Sequence, residues 1–391
     1  MNTIKLLFVF VFVVFSSIQA QLTLGNGEHV MEITGAVSTY YNQRILKPDN
    51  NNKNKDRFRL RDAQLQLEGR VKNNIEYELQ VDFVDLASFA SGEIDPENPG
   101  LMDAFVIYKG FPLFDIQMGY GKLYYGRSSL VPFSYSPYWQ RAQIVRGDMF
   151  SRRDVGLTLM QDFWRQRINV YAGVYTGLGE ITLRGDNDAT GQPEVVGRVD
   201  IAYPSRYRYR DIDDKITPIP MFQLGLNGRY FNKPLPEGRT FPSFSEGRYD
   251  LKVVNGQRTA YGLDASMQYM GFSAQFEIHQ MLINPANDNS GLYQGFTAEE
   301  AEGYVLAGGW VAQAHYFYKP WNLIVSGRYE TLDLSDLVPG ASHRLGAAVA
   351  YQFKGFDSMI KFQYFNILQE ESIDPIRWTE QFRIGWQYNF K

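Results

Sequence analysis

The chain has 391 residues, a formal net charge of −4, 44% hydrophobic and 15% aromatic residues, and no cysteine. The absence of cysteine excludes disulfides, thiolate metal sites and cysteine nucleophiles. After the first twenty residues no stretch approaches eighteen consecutive apolar residues, which excludes a helical membrane span.

Those first twenty residues read as an export signal. Lys5 supplies the positive start, Leu6 to Phe15 is an unbroken apolar run, and Ser16, Ser17 and Ala20 are small. The run is too short to cross a bilayer as a helix. Cleavage is expected after Ala20, although Ile18 is bulky for its position, leaving one mature domain over residues 21–391. What remains is rich in glycine (35) and in aromatics (27 Phe, 26 Tyr, 6 Trp) yet has negative mean hydropathy. An exported chain of that kind fits a β-barrel with a lipid-facing outside and a wet inside.

Alternation of about ten residues recurs along the chain, the length that a tilted transmembrane strand requires. Ile75, Tyr77, Leu79, Val81 and Phe83 oppose Glu76, Glu78, Gln80 and Asp82. Phe222, Leu224 and Leu226 oppose Gln223, Gly225 and Asn227, and Phe272, Ala274, Phe276 and Ile278 oppose Ser273, Gln275, Glu277 and His279. The last segment is the clearest: Phe382, Ile384, Trp386, Tyr388 and Phe390 against Gln381, Arg383, Gly385, Gln387 and Asn389. Strands are predicted near 30–41, 57–69, 75–83, 102–108, 113–120, 154–161, 167–176, 197–210, 221–231, 259–269, 272–281, 309–318, 321–331, 343–353, 358–367 and 381–390. Sixteen is an even number, as bacterial single-chain barrels have.

The connections alternate between long (42–56, 84–101, 121–153, 177–196, 232–258, 282–308, 332–342, 368–380) and short, as long outer loops and short periplasmic turns require. A soluble sandwich does not have that rhythm. The ten-residue connection 211–220 breaks it, being long where a short turn is expected. The fold class is therefore all-β, an antiparallel transmembrane barrel of about sixteen strands with both termini on the periplasmic side.

Three groups of basic residues stand out. Arg57, Arg59 and Arg61 share one face opposite Phe58 and Leu60, and after Asp62 the apolar phase slips to Ala63, Leu65 and Leu67. A bulge at Arg61–Asp62 would turn both inward, and arginine facing lipid costs roughly 2–4 kcal/mol near the midplane. Arg198, Arg206, Arg208 and Arg210 share a phase opposite Val199, Ile201, Tyr203, Tyr207 and Tyr209, with Pro204 interrupting the ladder. The connection 121–153 carries Lys122, Arg127, Arg141, Arg146, Arg152 and Arg153 against one acid, Asp148. It also holds Tyr124, Tyr125, Phe133, Tyr135, Tyr138 and Trp139, enough apolar surface to pack on a barrel wall.

Arg57–Gly69, Asp103-Ala104-Phe105-Val106, Met118-Gly119-Tyr120-Gly121-Lys122, Ser151-Arg152-Arg153-Asp154-Val155-Gly156 and Gly197-Arg198-Val199 occur in that order. Together they resemble the phosphate-selective porin O and P family. The resemblance implies a trimeric sixteen-stranded porin in the outer membrane of a Gram-negative-type bacterium. It implies a third loop folded into the pore and an arginine ladder that passes phosphate to a basic constriction. Small anions, phosphate or polyphosphate-like solutes, and the lipid bilayer are then the expected partners, with no nucleic acid and no cofactor.

Each basic group has a plainer reading. Arg57, Arg59 and Arg61 are read first as braces, with Glu76, Glu78 and Asp82 across the wall as their expected partners. The loop cluster, six bases to one acid, is read first as pore-facing. For Arg206, Arg208 and Arg210 a basic periplasmic turn serves equally well. His29, His279, His315 and His343 lie on separate segments without metal-ligand spacing, and no motif marks a catalytic nucleophile, so no enzyme and no metal is expected. Two alternatives stay open: a general diffusion porin with little selectivity, and a non-conducting surface-binding barrel.

Overall fold

The computed structural model describes residues 22–25, 28–46, 55–72, 74–84, 100–146, 149–179, 188–237, 251, 254–286, 291–369 and 378–390. The expected export signal, Asp148 and the middle of loop 232–258 lie outside them. No helix among the described residues is long and apolar enough to cross a membrane.

Among the described residues the chain forms seventeen strands. They are β1 (Leu22–Gly25), β2 (His29–Leu46), β3 (Lys55–Val71), β4 (Ile75–Asp82), β5 (Leu101–Tyr108), β6 (Asp115–Lys122), β7 (Arg153–Phe163), β8 (Ile168–Tyr175) and β9 (Glu194–Tyr203). There follow β10 (Met221–Lys233), β11 (Gly256–Tyr269), β12 (Phe272–Pro285), β13 (Val305–Tyr318), β14 (Leu323–Asp333), β15 (Ser342–Lys354), β16 (Ser358–Gln369) and β17 (Trp378–Phe390). Each of β2 to β16 pairs antiparallel with its successor, and β17 returns to β2 from Trp378↔Leu46 to Phe390↔Gly35. The result is a closed sixteen-stranded barrel without a free edge, the condition that lipid imposes. The short β1 pairs with β2 through Leu22↔Ile33 and Gly25↔Val30, just beyond the point where β17 stops.

Burial follows the alternation in an inverted sense. In β10, Phe222, Leu224, Leu226 and Tyr230 are exposed while Gln223, Asn227, Arg229 and Lys233 are buried. In β15, Leu345, Val349, Tyr351 and Phe353 face out while Ser342, Arg344 and Gln352 are buried. A water-soluble protein would bury the first set and expose the second. Apolar outside and polar inside is the pattern of a barrel solvated by lipid.

The register of β3 against β2 shifts between Ser38 and Thr39, so that Thr39 opposes Leu60 and Ser38 opposes Asp62. The unpaired residue is Arg61. The bulge therefore falls where the slip of phase in the sequence puts it, and Arg61 and Asp62 both face inward and are ion-paired.

Two segments enter the lumen from opposite ends. From the loop end, residues 123–146 and 149–152 enter, the first of these passing through a short helix, α1 (Arg127–Leu130), and two 3-10 turns at Phe133–Tyr135 and Gln143–Val145. Leu123, Tyr125, Ala142, Ile144, Val145, Met149 and Phe150 of this segment form one buried apolar cluster with wall residues Tyr175, Val196, Phe231, Met281, Ile283, Val305 and Leu332. Each large side chain so buried stabilises the arrangement by roughly 1.5–3 kcal/mol, which is why a strongly basic loop packs inside. From the turn end, Ile212 of the β9–β10 connection packs with Phe317, Ile324, Ala350, Phe356 and Met359. This is the connection that breaks the short-turn rhythm, and its extra residues are spent on entering the barrel.

Candidate functional site

The inward loop is tied to the wall at points spread around the barrel. Ser128 donates its backbone N–H (2.8 Å) and its hydroxyl (2.5 Å) to Glu277 of β12. Gln143 donates its backbone N–H to Glu330 of β14 at 2.8 Å. Trp139 donates its backbone N–H to Gln363 of β16 at 2.6 Å, and its indole N–H to the Lys361 carbonyl at 3.1 Å. The Trp139 carbonyl accepts from Arg61 of β3 at 3.2 Å and from Arg383 of β17 at 3.4 Å. The Gln140 carbonyl accepts from Arg328 of β14 at 3.0 Å.

Where the loop crosses the lumen, cationic groups converge on Phe133. The Arg61 guanidinium lies 3.3 Å from the ring centroid, the Lys361 ammonium 4.9 Å and the Arg141 guanidinium 6.0 Å. The negative face of an aromatic ring stabilises cations placed over it. Arg141 also donates to the carbonyls of Ser128 (2.9 Å) and Val131 (2.7 Å), which holds α1 in place. Burial, followed by the positive charges of Arg152, Arg153 and Arg61, pushes the Arg141 guanidinium well below its ordinary pKa. Beside it lies a small cavity lined by Ser128, Ser136, Arg141 and Arg328 together with Asp211 and Gln313.

The remaining basic residues singled out in the sequence have different surroundings. Arg127 is 1% exposed, donates to Gln223 (2.7 Å) and to the Arg210 carbonyl (2.9 Å), and faces the rings of Tyr207 and Tyr209. Arg152 is buried and Arg146 half-buried. Arg153 grips Asp103 of β5 through two bonds, at 3.1 and 2.9 Å. Lys122 stands opposite Arg153 in the β6–β7 register. Arg198 grips Asp264 of β11 at 2.7 and 2.9 Å and also pairs with Asp200 at 2.7 Å. Arg57 and Arg59 are exposed toward the loop end of β3.

Two expectations require correction. Glu76, Glu78 and Asp82 do not brace Arg57, Arg59 and Arg61: Glu76 pairs with Lys109, Glu78 accepts from Gln66, and Asp82 accepts from Gln64. The antiparallel register is the reason. It sets β4 against the lower part of β3, Gln64 to Val71, below the arginines. Nor does β9 carry a column of four arginines. The strand ends at Tyr203, because Pro204 has no N–H for the ladder. Arg206 and Arg208 are exposed beyond the end of β9, and Arg210 pairs with Asp214 and lies 4.5 Å from the Tyr135 ring.

Sequence reasoning missed Arg328, Lys361 and Arg383, which meet the loop from the wall, and the buried trio in which Glu194 receives Arg229 and Arg258. A signal was present, since each lies on the inward phase of its strand. Among the described residues no group of three or more His, Asp or Glu is arranged to hold a metal ion.

A sequence model of the phosphate-selective porin O and P family matches residues 32–390. No curated protein sequence matches the chain. An anion-selective porin from Comamonas acidovorans superposes with a TM-score of 0.61 at 11% identity, over 93% of this chain and 100% of that one. OmpT, an outer-membrane protein of Vibrio cholerae, gives 0.58 at 10% identity over 94% and 100%. The outer-membrane channel DcaP of Acinetobacter baumannii gives 0.56 at 11% identity over 94% and 99%. At these identities the likeness is one of fold.

Proposed function

Since the chain belongs to the phosphate-selective porin O and P family, we propose that this bacterial outer-membrane porin conducts small anions passively, with phosphate and polyphosphate-like oxyanions as its preferred solutes. The observation that carries the reading is the convergence of Arg61, Arg141 and Lys361 on Phe133 inside a closed wall. Fixed positive charge in a low-dielectric constriction focuses the field and raises the local anion concentration. Guanidinium adds a fork that grips two phosphate oxygens side by side. In this reading Arg57 and Arg59 collect anions at the outer mouth, Lys122, Arg146 and Arg152 extend the basic path, and Arg127 fixes the loop. The turn end is periplasmic and the assembly a homotrimer.

A general diffusion porin is the second reading, and the neutralised pairs favour it. Arg153 with Asp103, Arg198 with Asp264, and Arg229 with Glu194 cancel charge that an ideal anion path would leave open. Planar-bilayer recording in a potassium chloride gradient separates the two. The proposal expects an anion-selective zero-current potential and block of chloride current by phosphate, both weakened in R141Q and R152Q. Cation selectivity would reject it. Chloride selectivity without phosphate block would leave the general anion porin.

A further inference from the structure

The hairpin turn between β7 and β8 is built against ordinary turn chemistry. Trp164, Arg165 and Gln166 have φ of 50°, 59° and 65°, three successive non-glycine residues in the left-handed region. That region disfavours a side chain, and turns usually give it to Gly or Asn. Elsewhere at the same barrel end such residues stand singly, Lys72, Ile216 and Met270 each at 52° and Asn322 at 49°, and glycine takes the region at Gly271 and Gly355; among the described residues three in succession occur in this turn alone. None of the residues from Asp162 to Arg167 is Gly or Asn. A conformation held at a cost, with its side chains retained, points to a role for those side chains.

The side chains so displayed are cationic and aromatic. Arg165 and Arg167 are exposed, as are Arg206 and Arg208 of the following connection. The two segments are joined: Arg206 donates to the Gln166 side chain at 2.9 Å, and the Ala202 N–H donates to the Arg167 carbonyl at 2.7 Å. Phe163 (48% exposed), Trp164 (75%) and Tyr203 (66%) flank the arginines, and at the rim of a barrel wall such rings mark the boundary between hydrocarbon and headgroups. Asp162, near the end of β7, is the acid beside the turn.

We propose that Arg165, Arg167 and Arg206 form a binding site for the phosphate headgroup of an anionic phospholipid in the leaflet at the turn end. The aromatic residues select a lipid over a soluble phosphate, because they set the guanidiniums at headgroup depth beside an apolar wall. The guanidinium fork matches two phosphodiester oxygens, and the flanking rings receive the first carbons of the acyl chains.

The test is native mass spectrometry of the assembled, detergent-solubilised porin with equal amounts of phosphatidylglycerol and phosphatidylcholine. Wild type should retain phosphatidylglycerol several-fold over phosphatidylcholine. R165Q/R167Q should lose that preference while keeping its heat-modifiable gel shift and single-channel conductance. R206Q should weaken it as well, and lies outside the strained turn should the double variant fail to assemble. K319Q/K354Q, which removes two lysines from other turns at that end, should keep it. Equal retention of the two lipids by wild type, or equal loss in the lysine variant, would overturn the proposal. So would arginine-dependent retention of peptidoglycan fragments in place of phosphatidylglycerol.

Discussion

The Arg127 guanidinium donates to the main-chain carbonyl of Arg210 at 2.9 Å, so the loop that enters from one end of the barrel touches the connection that enters from the other. A second contact, the Arg210 guanidinium 4.5 Å from the Tyr135 ring, joins the same two segments. Hydrogen bonds made by a charged group contribute about 1.5–3 kcal/mol, and Arg127 makes two among aromatic rings. R127A should therefore loosen the loop without removing it from the wall. Single-channel traces should become noisier and mean conductance should rise. Traces identical to wild type would mean that this bridge does not hold the pore shape.

Glu194 serves two guanidiniums at once. It receives Arg229 at 2.8 and 2.9 Å and Arg258 at 2.9 Å, with all three side chains at most 2% exposed. E194Q would leave two buried cations facing a neutral amide. Removing one partner of a buried pair typically destabilises by about 3–5 kcal/mol. The guanidinium concentration that unfolds the purified barrel should fall accordingly, as followed by tryptophan fluorescence. An unchanged midpoint would show that the trio is solvated.

On the outer face the expectation is set by lipid and not by a partner. Leu226 is 49% exposed on β10 beside inward-facing Asn227. L226R should cost roughly 2–4 kcal/mol near the bilayer midplane, and L226A much less. Refolding yields into vesicles should rank wild type, L226A, L226R. Equal yields would place this face away from the hydrocarbon.

Closure of the ring depends on close approach at Gly385. A Cβ there would lie 2.1 Å from the Thr39 carbonyl oxygen and 2.5 Å from the Tyr40 Cβ, both on β2. G385V should force β17 and β2 apart and leave unpaired backbone groups in lipid, each costing several kcal/mol. The heat-modifiable band should vanish. Truncation before Gln381 should do the same.

Much of this architecture is legible in the chain because barrel strands are local. Alternation with a period of two needs no knowledge of partners, and each of the sixteen wall strands overlaps the segment it marks, although β9 ends at Tyr203 and not at Arg210. Strand ends are less legible: β2 runs on to Leu46 through Asn42, Gln43 and Arg44, where polar residues fill both phases. The lumen is legible only in part. The bulge at Arg61 is written in the slip of phase, but ion-pair partners depend on register, which separated Arg57 and Arg59 from the acids of β4. Contacts such as Trp139 with Gln363 join residues 224 positions apart and leave no periodic trace.

The carbonyl of Trp139 accepts from Arg61 on one side of β2 and from Arg383 on the other, while its N–H reaches Gln363. The residue thus works as a latch across the seam where the cylinder shuts, fastened from within. Its three anchors stand on β3, β16 and β17, so it cannot engage until the last strands emerge and dock. Closing the wall therefore supplies the last fastenings of the loop that narrows the bore.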